Sequence, residues 1–124
     1  MIFIDRSVPK GVADAIKQVR SDVLWLEDRF DHDAPDEVWL AAAGRAGWLV
    51  ISRDKKIRSR RGQRQLIEKH GVGCFIINQK QDPTRWEYLR LIVGALDQME
   101  DTFASTPSPF GFTIDRQGVL RRAF

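Results

Sequence analysis

The sequence predicts an α/β fold: a mostly parallel central sheet flanked by helices, closed by a C-terminal β-hairpin. Three observations predict it. Short apolar runs alternate with helix-period segments in the order β-α-β-α-β-α-β-α, the pattern of a parallel sheet with crossover helices. The apolar runs lack polar alternation, as strands buried on both faces do. Near the C-terminus the period changes to two, around a glycine placed to close a hairpin. The chain has 124 residues, of which 43% are hydrophobic and 30% charged, enough for one domain spanning residues 1–124 and a real core.

Met1–Asp5 is a short apolar strand that ends in an acid. Pro9 marks the start of a helix over 9–20, whose apolar face carries Val12, Ile16 and Val19. Val23–Leu26 is an apolar run too short for a helix. After an acidic loop, Asp33 and Pro35 open a second helix, with Leu40 and Ala43 as its periodic residues and Gly47 as its end. Trp48–Ser52 is the third strand, residues 61–70 the third helix, and Cys74–Ile77 the fourth strand. Thr84 and Glu87 have capping-box spacing, and Trp86, Leu89, Val93, Leu96 and Phe103 mark one face of a long helix over 84–103. Phe110, Phe112 and Ile114 then alternate with smaller or polar residues, Arg116–Gly118 turn the chain, and Val119–Arg122 return it. The hairpin would add antiparallel strands at an edge of the sheet.

Charge is unevenly laid out. Residues 27–37 hold six acids against Arg29, whereas residues 53–64 hold seven bases against Asp54. An acidic cluster beside a basic segment suits a cation and a polyanion held together; two solvated loops of opposite sign would give the same pattern. The single cysteine, Cys74, excludes an internal disulfide and a cysteine-rich zinc site. No apolar run approaches the ~20 residues of a membrane span, and no signal segment is evident, so a cytoplasmic setting is expected.

Topology brings particular acids together. In an open parallel sheet, functional groups gather at the carboxyl ends of the strands. Asp5 ends the first strand, Asp54 follows the third, and Asp36 lies in the first turn of the helix that leaves the second. Singly, Asp5 reads equally as a turn residue, Asp36 as an acid favoured by the helix dipole, and Asp54 as a partner of neighbouring bases. Taken together, three carboxylates on one edge repel unless a cation neutralises them, and oxygen ligands favour Mg²⁺ or Mn²⁺.

Three segments resemble the PIN-domain ribonucleases, of the compact VapC-like toxin type. They are Phe3-Ile4-Asp5-Arg6-Ser7, the acid-led helix rich in small residues Pro35-Asp36-Glu37-Val38-Trp39-Leu40-Ala41-Ala42-Ala43, and Leu49-Val50-Ile51-Ser52-Arg53-Asp54-Lys55-Lys56, a strand ending in Ser-x-Asp-Lys. The resemblance covers about residues 1–78. It implies a three-layer PIN-like sandwich and a Mg²⁺- or Mn²⁺-dependent endoribonuclease, with metal-ligand roles on Asp5, Asp36 and Asp54. Family members use a further acid from an earlier helix, which is not evident here. Glu37, Asp28, Asp31 or Asp33 would substitute, Glu37 first because it adjoins Asp36, and Glu37 could also accept a proton from the attacking water.

The basic residues Arg6, Arg53, Lys55, Lys56, Arg58, Arg60, Arg61 and Arg64 form the expected track for a nucleic-acid backbone. Trp39 and Trp86 fall on apolar helical faces and read as core before they read as stacking platforms for bases. His70 reads as a helix C-terminal residue, His32 as a loop residue and Cys74 as a buried small hydrophobe. The expected partners are RNA and, from the toxin resemblance, a small antitoxin protein. A homodimer through the Phe110–Ile114 strand is a further expectation. A catalytically degenerate PIN-like module that binds nucleic acid or protein is the alternative, favoured by the missing fourth acid.

Overall fold

A computed structural model of the chain describes residues 1–53, 61–79 and 81–124. Among these residues, six strands form one sheet: β1 (Ile2–Ile4), β2 (Val23–Trp25), β3 (Leu49–Ser52), β4 (Gly73–Ile77), β5 (Phe110–Ile114) and β6 (Leu120–Arg122). Their spatial order is β2-β1-β3-β4-β5-β6, and every pairing is parallel except β5 with β6. Among the described residues, four α-helices connect them: α1 (Lys10–Lys17), α2 (Asp36–Ala46), α3 (Arg61–His70) and α4 (Arg85–Ser105). Among the described residues, no helix is long and apolar enough to cross a membrane.

Strand alternation sorts the core into two layers. Ile2, Ile4, Leu49, Ile51, Phe75 and Ile77 face α1 and α4, where they meet Val12, Ile16, Ile92 and Met99. Phe3, Val50, Cys74 and Ile76 face α2 and α3, where they meet Trp39, Leu40, Ala43 and Ile67. Phe3 stacks between Trp39 and Trp48, with ring centroids 5.3 and 5.5 Å away. Burial on both sides explains why the strands read as continuous apolar runs.

Helix ends follow their sequence signals. Gly47 takes the left-handed conformation (φ 69°) and terminates α2. Thr84 Oγ1 accepts from Glu87 N at 3.1 Å and Thr84 N donates to Glu87 Oε1 at 3.0 Å, which closes the capping box of α4. Gly44 lies where α2 crosses α3, and a Cβ there would overlap the His70 carbonyl oxygen.

Three expectations change. The buried face of α4 is Tyr88, Leu91, Ile92, Ala95, Leu96 and Met99, while Trp86 is 67% and Val93 53% exposed. The helix carries two apolar stripes, and the one with the tighter i, i+3, i+4 spacing meets the sheet. Second, β5 lies inside the sheet and pairs parallel with β4, because the long α4 returns the chain across the sheet like any crossover helix. Only β6 is at that edge, so the Phe110–Ile114 strand is covered and is no open edge for a second chain. Third, the acidic stretch begins with a turn of 3-10 helix, Leu26–Asp28, where Asp28 Oδ2 accepts from Trp25 N at 2.9 Å.

Candidate active site

Asp5 stands one residue beyond β1, between the ends of β2 and β3, and its amide donates to Ile51 O at 2.9 Å. Its parity is that of Phe3, which directs the side chain to the α2 side of the sheet. Ser52 shares that parity with Val50. Asp5 is only 6% exposed, and its carboxylate is held by three donors. Arg6 N donates to Oδ1 at 2.8 Å, Ser7 Oγ to Oδ2 at 2.8 Å and Ser52 Oγ to Oδ2 at 3.2 Å. Burial pushes the Asp5 carboxyl above its ordinary range, and these hydrogen bonds pull it down without offsetting the burial. Ser7 Oγ also accepts from Arg53 N at 2.9 Å, so one hydroxyl joins the ends of β1 and β3.

Asp36 is the first residue of α2 and reaches the same edge. Its Oδ1 accepts from Trp39 Nε1 at 3.2 Å, and its Oδ2 accepts from Gln63 Nε2 on α3. Arg6 bridges the two acids. Its backbone N–H binds Asp5, while its guanidinium lies 4.0 Å from Asp36 Oδ1 and donates to Ala34 O at 3.3 Å.

The expected fourth acid is placed elsewhere. Glu37 turns toward the C-terminus of α3, where Lys69 lies 3.0 Å and His70 3.3 Å from Oε1. Its hydrogen bonds with Lys69 and then His70 hold its carboxyl below the ordinary range. Successive residues at a helix start point about 100° apart, so adjacency to Asp36 sends Glu37 to a different neighbour. Asp28 is paired with Lys17, and Asp31 and Asp33 are exposed. Among the described residues, no three His, Cys, Asp or Glu side chains converge as a metal cluster. Asp54, with Lys55, Lys56, Arg58 and Arg60, lies outside the described residues.

The basic track is divided. Arg6 is at the acids. Arg53 has the opposite parity to Ser52 and turns to the other side of the sheet, where its guanidinium reaches Asp82 at 2.5 Å and Gln81 O at 3.1 Å. It is 13% exposed, more an anchor for the loop before α4 than a surface contact. Arg61 opens α3. Arg64 pairs with Glu68 at 2.8 Å and lies over the Phe124 ring, 4.7 Å from its centroid.

Two polar neighbours of the site escaped sequence reasoning. Trp39 is core, 1% exposed, yet its indole N–H also holds Asp36, which the i, i+3 spacing could have revealed. Gln63 comes from α3, and no local signal marks it. In donor type the carboxylate and hydroxyl oxygens of the edge suit a hard divalent cation, one carboxylate being desolvated, with the Arg6 guanidinium beside them.

The model of a family described as PIN-like domain matches residues 1–79, which is β1 through β4 and the acid-bearing edge. The chain belongs to the PIN-like domain family. No curated protein and no solved structure matches it. In this PIN-like domain the matched segment stops just after β4, so α4 and the β5–β6 hairpin lie beyond it.

Proposed function

We propose that this PIN-like domain is a divalent-metal-dependent endoribonuclease and the toxin half of a toxin–antitoxin pair. PIN-like domains are generally nucleases, which supports hydrolysis of a nucleic-acid backbone. The observation that carries the reading is Asp5, a desolvated carboxylate at the carboxyl end of a central strand, with Asp36 joined to it through Arg6. A protein keeps a charge in such a place at a cost to stability, and a bound cation relieves it. Asp5 and Asp36, with Asp54 from the sequence, would hold Mg²⁺ or Mn²⁺. The ion would supply a water of lowered pKa and neutralise charge on the phosphoryl group.

The protein's own groups do the rest. Ser7 and Ser52 hold the Asp5 carboxylate in place at the edge. Trp39 and Gln63 fix Asp36. Arg6, partly exposed beside both acids, is placed to meet a phosphate oxygen. The bases at Lys55, Lys56, Arg58 and Arg60 would track the backbone and position it without reading sequence. A small antitoxin would act by covering this same edge.

The test is cleavage of total cellular RNA by purified protein in Mg²⁺ or Mn²⁺, with EDTA and Asp36→Asn as controls. Cleavage that needs both the metal and Asp36 is the expected result. Equal cleavage by Asp36→Asn would remove Asp36 from the site. One observation favours a second reading, a non-catalytic nucleic-acid-binding module: the Arg6 guanidinium already lies against Asp36, where a cation would bind. Retained RNA binding with no cleavage by wild type or by Arg6→Ala would support that reading.

A further inference from the structure

A polar groove opens from the carboxyl edge of the sheet, beyond the acids. Asn78 follows β4 and Asp115 follows β5, and Asn78 N donates to Ile114 O at 3.0 Å. These strands run parallel to β1, so both residues lie on the edge that carries Asp5. Strands ~5 Å apart put Asn78 roughly 10 Å along that edge from Asp5. From there two confluent depressions, of about 490 and 640 Å³, run between α4 and the turn that joins β5 to β6. Gln79, Glu87, Arg116 and Gln117 line both. Arg90, Gly94 and Gln98, each a helical turn apart on α4, form the facing wall. Both walls lie beyond the segment that the family model matches, except at Gln79.

The charges of the groove are not balanced. Its acids are engaged in the fold: Asp82 pairs with Arg53, Asp115 Oδ1 accepts from Gln117 N and Val119 N at 2.9 Å, and Glu87 Oε1 accepts from Thr84 N. Arg90 and Arg116 are exposed and make no hydrogen bond or ion pair among the described residues. Both face Glu87, whose carboxyl is held below its ordinary range first by its bonds with Thr84 and then by Arg116 and Arg90. One carboxylate between two guanidiniums leaves the groove positive. Gly94 is a second observation. Glycine weakens a helix interior, and packing does not require it here, since a Cβ would meet nothing within 4 Å. Its effect is to keep the floor bare between Arg90 and Gln98. We propose that this groove receives single-stranded RNA from the acid-bearing edge, with Arg90 and Arg116 on its phosphates. The amides of Gln79, Gln98 and Gln117 offer donors and acceptors together, which base edges match and the carboxylates of an acidic peptide do not. The inference rests on the reading of this chain as one that acts on RNA, and it gives the strand a direction, toward the β5–β6 turn.

Fluorescence anisotropy with a labelled single-stranded RNA of about 12 nucleotides, in EDTA so that cleavage plays no part, tests it. Arg90→Gln and Arg116→Gln should each raise the dissociation constant roughly 3- to 10-fold. Together they should flatten the dependence of log K on log salt by about 1.4, near 0.7 per lost phosphate contact. Gly94→Leu should weaken binding at least ~3-fold while its melting temperature equals or exceeds that of wild type, which separates a filled groove from a damaged helix. Arginine variants that bind like wild type would overturn the proposal and leave the groove to an acidic protein segment. So would a folded Gly94→Leu with unchanged affinity, or a wild type that binds no RNA. The two readings part cleanly. Cleavage that needs metal and Asp36, with RNA affinity unaltered in the arginine variants, sinks this path and spares the nuclease. Weakened binding by those variants, in a protein that cuts no RNA, does the reverse.

Discussion

Asp5 is a residue whose placement works against stability, and the proposed function gives that placement a use. Its carboxylate is buried, its titration is displaced upward by desolvation, and three donors only partly compensate. The folded protein therefore holds the Asp5 proton more tightly than the unfolded chain does. The contribution to stability is full below the ordinary carboxylate range and is lost as pH rises through the higher folded value. Asp5→Asn should lack that loss. In EDTA at neutral pH its melting temperature should equal or exceed that of wild type, and added Mg²⁺ or Mn²⁺ should raise only the wild-type value. Thermal melts across the acid-to-neutral range, with and without metal, check this. A destabilisation above ~1 kcal/mol would instead make the carboxylate's hydrogen bonds structural.

At the scale of elements, α2 matters most because it carries Asp36 to the sheet edge. Gly44 decides how closely it lies on α3. In an exposed helix interior, Gly→Ala stabilises by about 1 kcal/mol. Here the sign reverses, because the new Cβ meets a backbone carbonyl that cannot rotate away. Gly44→Ala should destabilise by roughly 1–3 kcal/mol, read as a lower urea midpoint at constant slope. Elements were also what the sequence conveyed best. Strand and helix order, the Gly47 stop and the Thr84–Glu87 capping box all rest on local chemistry, and local chemistry is what a sequence displays. The buried face of α4 was misread because two apolar stripes compete there, and only the sheet decides between them. The parallel pairing of β5 was missed because hairpin signals describe β5 with β6 and say nothing of β4. The placing of Asp5 and Asp36 at one sheet edge followed from topology, whereas the turn of Glu37 to Lys69 and His70 and the arrival of Gln63 are contacts between helices. Arg53 was legible in principle: its parity opposes that of Ser52.

For the whole molecule, the opposed charge regions should govern encounter with nucleic acid. Replacing Lys55, Lys56, Arg58 and Arg60 by Gln should weaken RNA binding about equally across sequences. It should also flatten the dependence of log K on log salt by up to roughly 3, near 0.7 per lost phosphate contact on a single strand. Titrations at several salt concentrations measure that slope, and an unchanged slope would move the RNA path elsewhere. The same whole-molecule view bears on how variants of this chain would be read. Consider a saturation-mutagenesis screen scored by function. Gly44 would tolerate almost nothing, as the acids would, although it touches only its neighbouring helix. Its profile would differ in one respect: every side chain would fail there, alanine included, and protein abundance would fall along with function. At Asp5, asparagine would spare abundance and abolish function. Intolerance alone therefore marks crowding as readily as chemistry, and the two part only when abundance is scored beside function.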